Sequence, residues 1–349
     1  AMRGSTFQAL GITPFRVGKT VPDEALAAML ALQAEIERLR DERSATPEEA
    51  RRANVALRRL MRTQDNHFPE LERTASEIRA AVDHPDGPLT QRAASDIAAY
   101  LGFSLHYVPD LPQTTRSIAD VKNGRLYLST RVAKGDPRAS VLQALSSRML
   151  GHTEPKSYGE FLRQRVETNY LTGALLIPEA HAVAALTEAK ARRVLSIEDL
   201  RDTYSVSYET AAHRFTNLIT HHCGIRVHFL KVHENGMIYK AYENDGFALP
   251  TDAIGAIEGQ AACRRWACRS VLLDEVEPGQ SHAQYTDTPA GTFWEIAQTE
   301  HTSAGTFAVA LGTTFDDARW FRGRETTHRV ASTCPDPACC RRAPADLAA

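Results

Sequence analysis

Five of the chain's six cysteines lie in its last third. Cys263 and Cys268 sit in CRRWAC, and Cys334, Cys339 and Cys340 sit in CPDPACC. Thiolates bind soft metals, and two such clusters can close four positions around zinc or an iron–sulfur cluster. A disulfide or unrelated buried thiols is the competing reading. The histidines offer less. His221-His222-Cys223 is rich in ligand atoms but lacks partners at ligand spacing, and the spacings of His152, His181 and His213 form no known metal pattern. HExxH, GxSxG, a Walker loop and GxGxxG are all missing, so the sequence carries none of these catalytic signatures.

A length of 349 residues allows two or three domains and a sizeable core. The net charge of −2 gives no overall basic field for nucleic acid. No apolar run approaches a membrane span, so no membrane partner is expected. The opening AMRGSTFQALG lacks a charged stretch followed by a long apolar one, the mark of a secretory signal. A cytoplasmic location is therefore expected, and it disfavours structural disulfides.

The elements that position these residues divide into three regions: 1–87, 88–222 and 223–349. The first reads as helical. Leu26, Met29, Leu30, Ile36 and Leu39 recur at helical spacing. Thr46-Pro47-Glu48-Glu49 is a helix start, and a further amphipathic segment follows Pro69 until the breaker cluster at 83–88. The second region alternates a helix at 89–101, strands at 103–108, 116–121 and 125–129, then helices at 137–150, 158–177, 179–193 and from 197 onward. Asn123-Gly124 predicts a tight hairpin. The third region reads as strands at 225–232, 237–242, 291–298 and 306–312. The fold class expected is α+β.

The stretch from Ile197 to Phe215 has the outline of helix, turn, helix, with Ser207 as a cap for the second helix. As a DNA reader it is poor, because Arg214 is the one basic residue near the start of that helix. A packed helical corner is the favoured reading.

At these residues the chain resembles the effector-sensing part of actinobacterial short-chain fatty-acid regulators of the RamB and PrpR type. The most specific match is Val206-Ser207-Tyr208-Glu209-Thr210-Ala211-Ala212-His213-Arg214-Phe215-Thr216-Asn217-Leu218, which looks like the family's V-S-x-E-x-x-A-H-R-L-x-x-L. Supporting matches are Gln64-Asp65-Asn66-His67-Phe68-Pro69, Asn169-Tyr170 with Pro178, Cys263-Arg264-Arg265-Trp266, and Cys339-Cys340-Arg341-Arg342-Ala343. They span roughly residues 60 to 345. The resemblance implies a middle domain of the ImmA/IrrE metallopeptidase type, a mostly β cysteine-containing C-terminal domain, and sensing of CoA or acyl-CoA. It also implies a [4Fe–4S] cluster, for which zinc is the alternative, and control of fatty-acid metabolism.

Departures from the family pattern shape what is expected. No typical helix-turn-helix DNA-binding domain is visible, so the chain is read as a C-terminal fragment or as acting through a partner. The stretch 140–151 stands where the peptidase helix belongs but has no HExxH, so peptidase activity is expected to be lost. The family's terminal C-x2-C-x4-C keeps only its second part, with Ala at position 331. That leaves Cys268 or Cys340 as the replacement ligand. Cys263, Cys268, Cys334 and Cys339 are the favoured set, because adjacent cysteines in an extended segment point apart. For the effector, matched positions give Asn66, His67 and Tyr170. Arg165, before Tyr170 on the same helix, is added for a phosphate. A homodimer formed through the N-terminal helices is expected. The rival readings are a structural zinc-binding interaction protein and a metallopeptidase relative with relocated ligands drawn from His152, His181 and His213.

Overall fold

Thr46 starts the first helix, as its sequence signature predicts. Its hydroxyl accepts the Glu49 N–H at 3.2 Å, and the Glu49 carboxylate accepts the Thr46 N–H at 2.8 Å, a reciprocal capping box with Pro47 in the first turn. The computed structural model describes residues 46–109, 111, 117–130, 136–273, 279–302 and 304–336. The helical spacing read from Leu26 to Leu39 and the residues Cys339 and Cys340 lie outside the described residues.

Helix α1 (Pro47–Thr63) is followed by α2 (Pro69–Ala81), which buries Leu71, Ala75 and Ile78. Asp83, with φ of 53°, ends it at the start of the expected breaker cluster. Helix α3 (Gln91–Tyr100) leads into a small mixed sheet of β1 (Ser104–Val108), β2 (Ser117–Asp120) and β3 (Arg125–Ser129). Strand β3 lies between β1, parallel to it, and β2, antiparallel to it. Gly124 makes the hairpin at φ of 61°, and any side chain there would strike the Gly102 carbonyl.

Helices α4 (Pro137–Met149), α5 (Tyr158–Leu176), α6 (Glu179–Ala191), α7 (Ile197–Tyr204) and α8 (Tyr208–Cys223) follow. In α4, which covers most of the 140–151 stretch, Val141, Leu142, Leu145 and Ser146 are buried. The α7–α8 pair is the packed corner expected. Ser205 turns the chain at φ of 52°, and the Ser207 hydroxyl caps α8 by accepting the Thr210 N–H at 3.1 Å. Helix α8 buries Ala211, Ala212, Phe215, Leu218 and Ile219, so it is a central core helix rather than one free to enter a DNA groove.

The third region forms a six-stranded sheet from β4 (Val227–His233), β5 (Ile238–Glu243), β6 (His282–Thr288), β7 (Gly291–Thr302), β8 (Gly305–Thr314) and β9 (Arg329–Ala331). The strand order is β5-β4-β8-β7-β6-β9, antiparallel except where β9 joins β6. Because successive strand residues face opposite ways, the sheet feeds two cores. Phe229, Trp294, Ile296, Val309 and Leu311 join the helical core that also holds Leu71, Tyr170 and Phe215. Leu230, Val232, Phe293, Ala297, Ala308 and Ala310 face the other way, onto a layer containing Trp266, helix α9 (Ala267–Leu273) and three cysteines.

Candidate functional site

Two groups of ligand-type side chains stand out, one on each side of the six-stranded sheet. The first is built on the turn between α1 and α2. Asp65 and Asn66 both adopt left-handed backbone, with φ of 51° and 55°, a conformation uncommon outside glycine but tolerated by Asn and Asp. The surroundings hold it there. The Asn66 amide donates to Thr216 Oγ1 at 2.9 Å, and the Asn66 carbonyl accepts from Asn217 Nδ2 at 2.9 Å. Both partners belong to α8, so the turn is fastened to that helix.

The next residue, His67, is thereby placed against the C-terminal end of α8. Its buried ring stacks on His221 with centroids 4.1 Å apart and meets His222 edge-on at 5.4 Å. His67 Nε2 lies 2.6 Å from Glu179 Oε1, and His222 Nε2 lies 2.8 Å from the same oxygen. Glu179 is the first residue of α6, after Pro178, which offers no side-chain cap. The hydrogen bond from His67, reinforced by the one from His222 and opposed by partial burial, holds the Glu179 carboxyl down at about 2. Burial and the two neighbouring imidazoles push His221 below the usual histidine range.

Behind His67 lies a buried ion pair. Arg214 Nη2 donates to Glu72 Oε2 at 2.7 Å, and Arg214 Nε donates to the Ile177 carbonyl at 2.9 Å. The Tyr170 hydroxyl donates to Glu72 and accepts the Phe68 N–H at 3.2 Å. Burial drives the Tyr170 phenol upward, against the charge of Arg214 and with that of Glu72. Burial works against the Arg214 charge, yet Glu72 keeps its guanidinium raised.

The structure therefore brings Asn66, His67 and Tyr170 together around one junction. Arg165 is separate: it is exposed, and it has no hydrogen-bond or ion-pair partner among the described residues. Glu179 and Glu72 were missed by sequence reasoning, and His221-His222 was set aside for want of partners. The partners exist but come from distant segments. Two cavities among the described residues hold about 200 Å³ each, and neither Asn66, His67 nor Tyr170 lines them. Pockets for small molecules usually run to about 300 Å³ or more.

The second group is the cysteine layer. Cys263, Cys268 and Cys334 are all buried in one apolar cluster with Trp266, Phe247 and Phe293. A bridge between Met237 and Ala261 anchors the first cysteine loop to the end of β5. The Ser332 hydroxyl joins the two cysteine segments: it lies 3.3 Å from Cys263 Sγ and accepts the Cys334 N–H at 3.1 Å. Burial pushes the Cys268 thiol well up, and the nearby Glu295 charge adds to it. The three described cysteines of the favoured ligand set share one buried cluster and none is in a disulfide among the described residues, though their sulfurs do not all lie within 4.8 Å of one another. The donor chemistry fits a metal or an iron–sulfur group, whose positive charge would stabilise thiolates that burial disfavours.

The histidines considered for a relocated peptidase site are scattered. His152 bonds Glu167 at 2.8 Å, His181 bonds Tyr204 at 2.6 Å, and His213 packs on Phe229 at 4.2 Å. Among the described residues these three do not form a shared ligand group.

No family model matches the chain, and no curated protein matches it. Solved structures do. A Mycobacterium tuberculosis transcriptional regulator superposes with a TM-score of 0.61 at 17% identity, over 80% of this chain and 89% of that one. The two chains share a fold.

Proposed function

We propose that this chain is the sensing portion of a transcription regulator, with the buried cysteine layer as an iron–sulfur site and CoA or acyl-CoA as effector. The observation that carries the reading is the convergence of Cys263, Cys268 and Cys334 from two remote segments onto one buried patch. The likeness of fold to a transcriptional regulator supports it. Cys339 supplies the fourth thiolate in this reading. When bound, the cluster supplies a redox-active, positively charged centre. This chain's own residues would do the rest: Trp266 and Phe247 exclude water, and Ser332 ties the tail segment to the first cysteine loop. DNA would be met through a helix-turn-helix domain or a partner, not through α8.

An acyl-CoA near Asn66, His67 and Tyr170 must compete with contacts those residues already make, so its binding requires the 64–68 turn to part from α8. Arg165, exposed and without a hydrogen-bond or ion-pair partner among the described residues, is available for a phosphate. A ligand shifts an equilibrium only by its preference for one arrangement, and opening this turn is such a rearrangement. The decisive experiment is anaerobic purification followed by iron and sulfide assay and visible absorbance. About four iron and four sulfide per chain are expected, and Cys263→Ser or Cys334→Ser should abolish them. A colourless, zinc-replete protein refutes the iron–sulfur reading. For the effector, CoA, acetyl-CoA and propionyl-CoA should raise the melting temperature by mass action. No shift at saturating ligand refutes that half.

A further inference from the structure

The junction at the α1–α2 turn holds a second set of donors, of which the regulator reading uses only His67. His67, His221 and His222 offer ligand atoms that all lie within 4.8 Å of one another, and so do His67, Glu72 and Glu179. They come from four segments: the turn, helix α2, the first residue of α6 and the last turn of α8. We propose that His67, His222 and Glu179, with His221 as the fourth ligand, form a binding site for a divalent transition-metal ion of the zinc type.

The geometry carries the inference. Two imidazoles meeting edge-on, at an interplanar angle of 90°, aim Nε2 atoms at the same carboxylate oxygen. In the metal-free site both Nε2 atoms carry protons donated to Glu179 Oε1. A metal ion takes the place of those protons: a neutral ring shifts its one proton from Nε2 to Nδ1, and a doubly protonated ring releases one to solvent. A zinc–nitrogen bond of about 2.0 Å puts neighbouring ligand atoms roughly 3.3 Å apart in a tetrahedron. The present spacings of 2.6 and 2.8 Å to Glu179 therefore have to widen by about half an ångström. Glu179 and His222 are not fully buried and can move. His221 must also tilt, because a metal lies in the plane of each imidazole that binds it, whereas His221 now lies parallel to His67 at 5°. His221 is exposed and has room to do so.

The surroundings favour a cation. The C-terminal end of α8 carries partial negative charge, and His221 and His222 occupy its last turn. Glu179 meets the opposite, positive end of α6 with a full negative charge. The Glu72 charge is already taken up by Arg214, so Glu72 is not counted as a ligand. His67 is the rigid member, because the Asn66 bonds to Thr216 and Asn217 fix the turn that bears it. Three imidazoles and one carboxylate suit zinc, cobalt or nickel and not calcium or magnesium, which demand oxygen ligands.

This inference goes beyond the regulator reading and does not depend on it. Because thiolates are also zinc ligands, the test must separate the two sites. The full chain, stripped by a chelator, is dialysed against Zn2+ and its metal content measured beside His221→Ala/His222→Ala. Both residues are exposed, so the variant should fold, and circular dichroism checks that it does. The wild type should retain one more zinc per chain than the variant. Glu179→Gln should weaken that extra equivalent by about a hundredfold or more, at least as much as loss of an outer-shell partner does. Titration with Co2+ should give, for the same equivalent, visible bands without the sulfur-to-cobalt charge-transfer absorption of a thiolate site. Equal zinc content in wild type and variant overturns the site. So does a lost equivalent whose cobalt spectrum carries thiolate absorption. Either result leaves the iron and sulfide assay of the cysteine layer unaffected, so the two readings fail separately.

Discussion

Replacing Glu72 by glutamine should destabilise this protein more than any surface change of equal size. The Arg214 side chain is 0% exposed and the Glu72 side chain 4% exposed. The guanidinium keeps its bond to the Ile177 carbonyl in the variant, and the introduced amide can still accept the Tyr170 hydroxyl. What is lost is the negative charge. An unpaired buried charge costs about 3–5 kcal/mol, against a total stability of roughly 5–15 kcal/mol for a domain. At about 2–4 °C per kcal/mol for a domain of this size, the melting temperature should fall by about 6 °C or more. Arg214→Met should cost a similar amount, because it strands the carboxylate. The double variant Glu72→Gln/Arg214→Met removes both charges and should recover most of the loss, since an ion pair replaced by neutral groups is often near neutral. Urea denaturation of all four proteins gives the coupling energy, expected at about 2 kcal/mol or more. A single variant costing under about 1 kcal/mol, or a double variant equal to the sum of the singles, refutes the claim that this pair is buried and mutually dependent.

Two further outcomes follow from the sheet. His228 is fully buried and bonds Asp245 at 2.7 Å. Burial opposes its charge, but Asp245 and Glu295 raise it to about 9. A raised histidine contributes stability that is fully present below pH 6.5, its ordinary value, and lost as the pH rises through 9. The contribution is on the order of 3 kcal/mol, so the melting-temperature gap between wild type and His228→Gln should narrow from pH 6 to pH 9.5. A gap independent of pH refutes it. Gly312 faces the His228 ring and the Trp294 carbonyl oxygen, the latter 2.7 Å from where a Cβ would stand. Gly312→Ala should therefore cost about 1–3 kcal/mol by overpacking, measured by the urea midpoint, and a neutral result would show the sheet yields there.

Local signals in the sequence carried most of the elements. The capping box at Thr46, the Ser207 cap and the Asn123-Gly124 turn each depend on residues a few positions apart, and each formed where expected. The strands expected at 291–298 and 306–312 formed with two usable faces, because period two is a property of the strand itself. Arg214 was harder to read. It was weighed as a basic residue near the start of a possible recognition helix, yet it is buried because its partner Glu72 lies 142 positions upstream. Arg165 and Tyr170 fail to share a cavity for a geometric reason. Five residues at 3.6 per turn put them on different faces of α5, one exposed and the other buried. Glu179 was invisible as a site residue, since its two histidine partners are 112 and 43 positions away.

The two clusters lie on opposite faces of one sheet, and helix α8 is the element that reaches from one toward the other. Its C-terminal turn carries His221 and His222, its middle takes the Asn66 turn through Thr216 and Asn217, and its first turn carries Glu209. Glu209 accepts from Lys231 of β4 at 2.6 Å and from Lys240 of β5 at 2.8 Å. Strand β4 then presents Phe229 to the helical core and Leu230 and Val232 to the cysteine layer. A displacement of α8 therefore has two mechanical outlets, the 64–68 turn and the β4–β5 hairpin. Spatial connection alone does not make the sites interact: a ligand at one cluster alters the other only if the shared element has two arrangements and the ligand prefers one. The strained turn at Asp65 and Asn66 is where a second arrangement is cheapest to reach, because leaving α8 would relieve two left-handed backbone conformations while breaking two hydrogen bonds. Those opposing terms are each of order 1 kcal/mol per residue or bond, small enough for a bound ion or effector to decide between them.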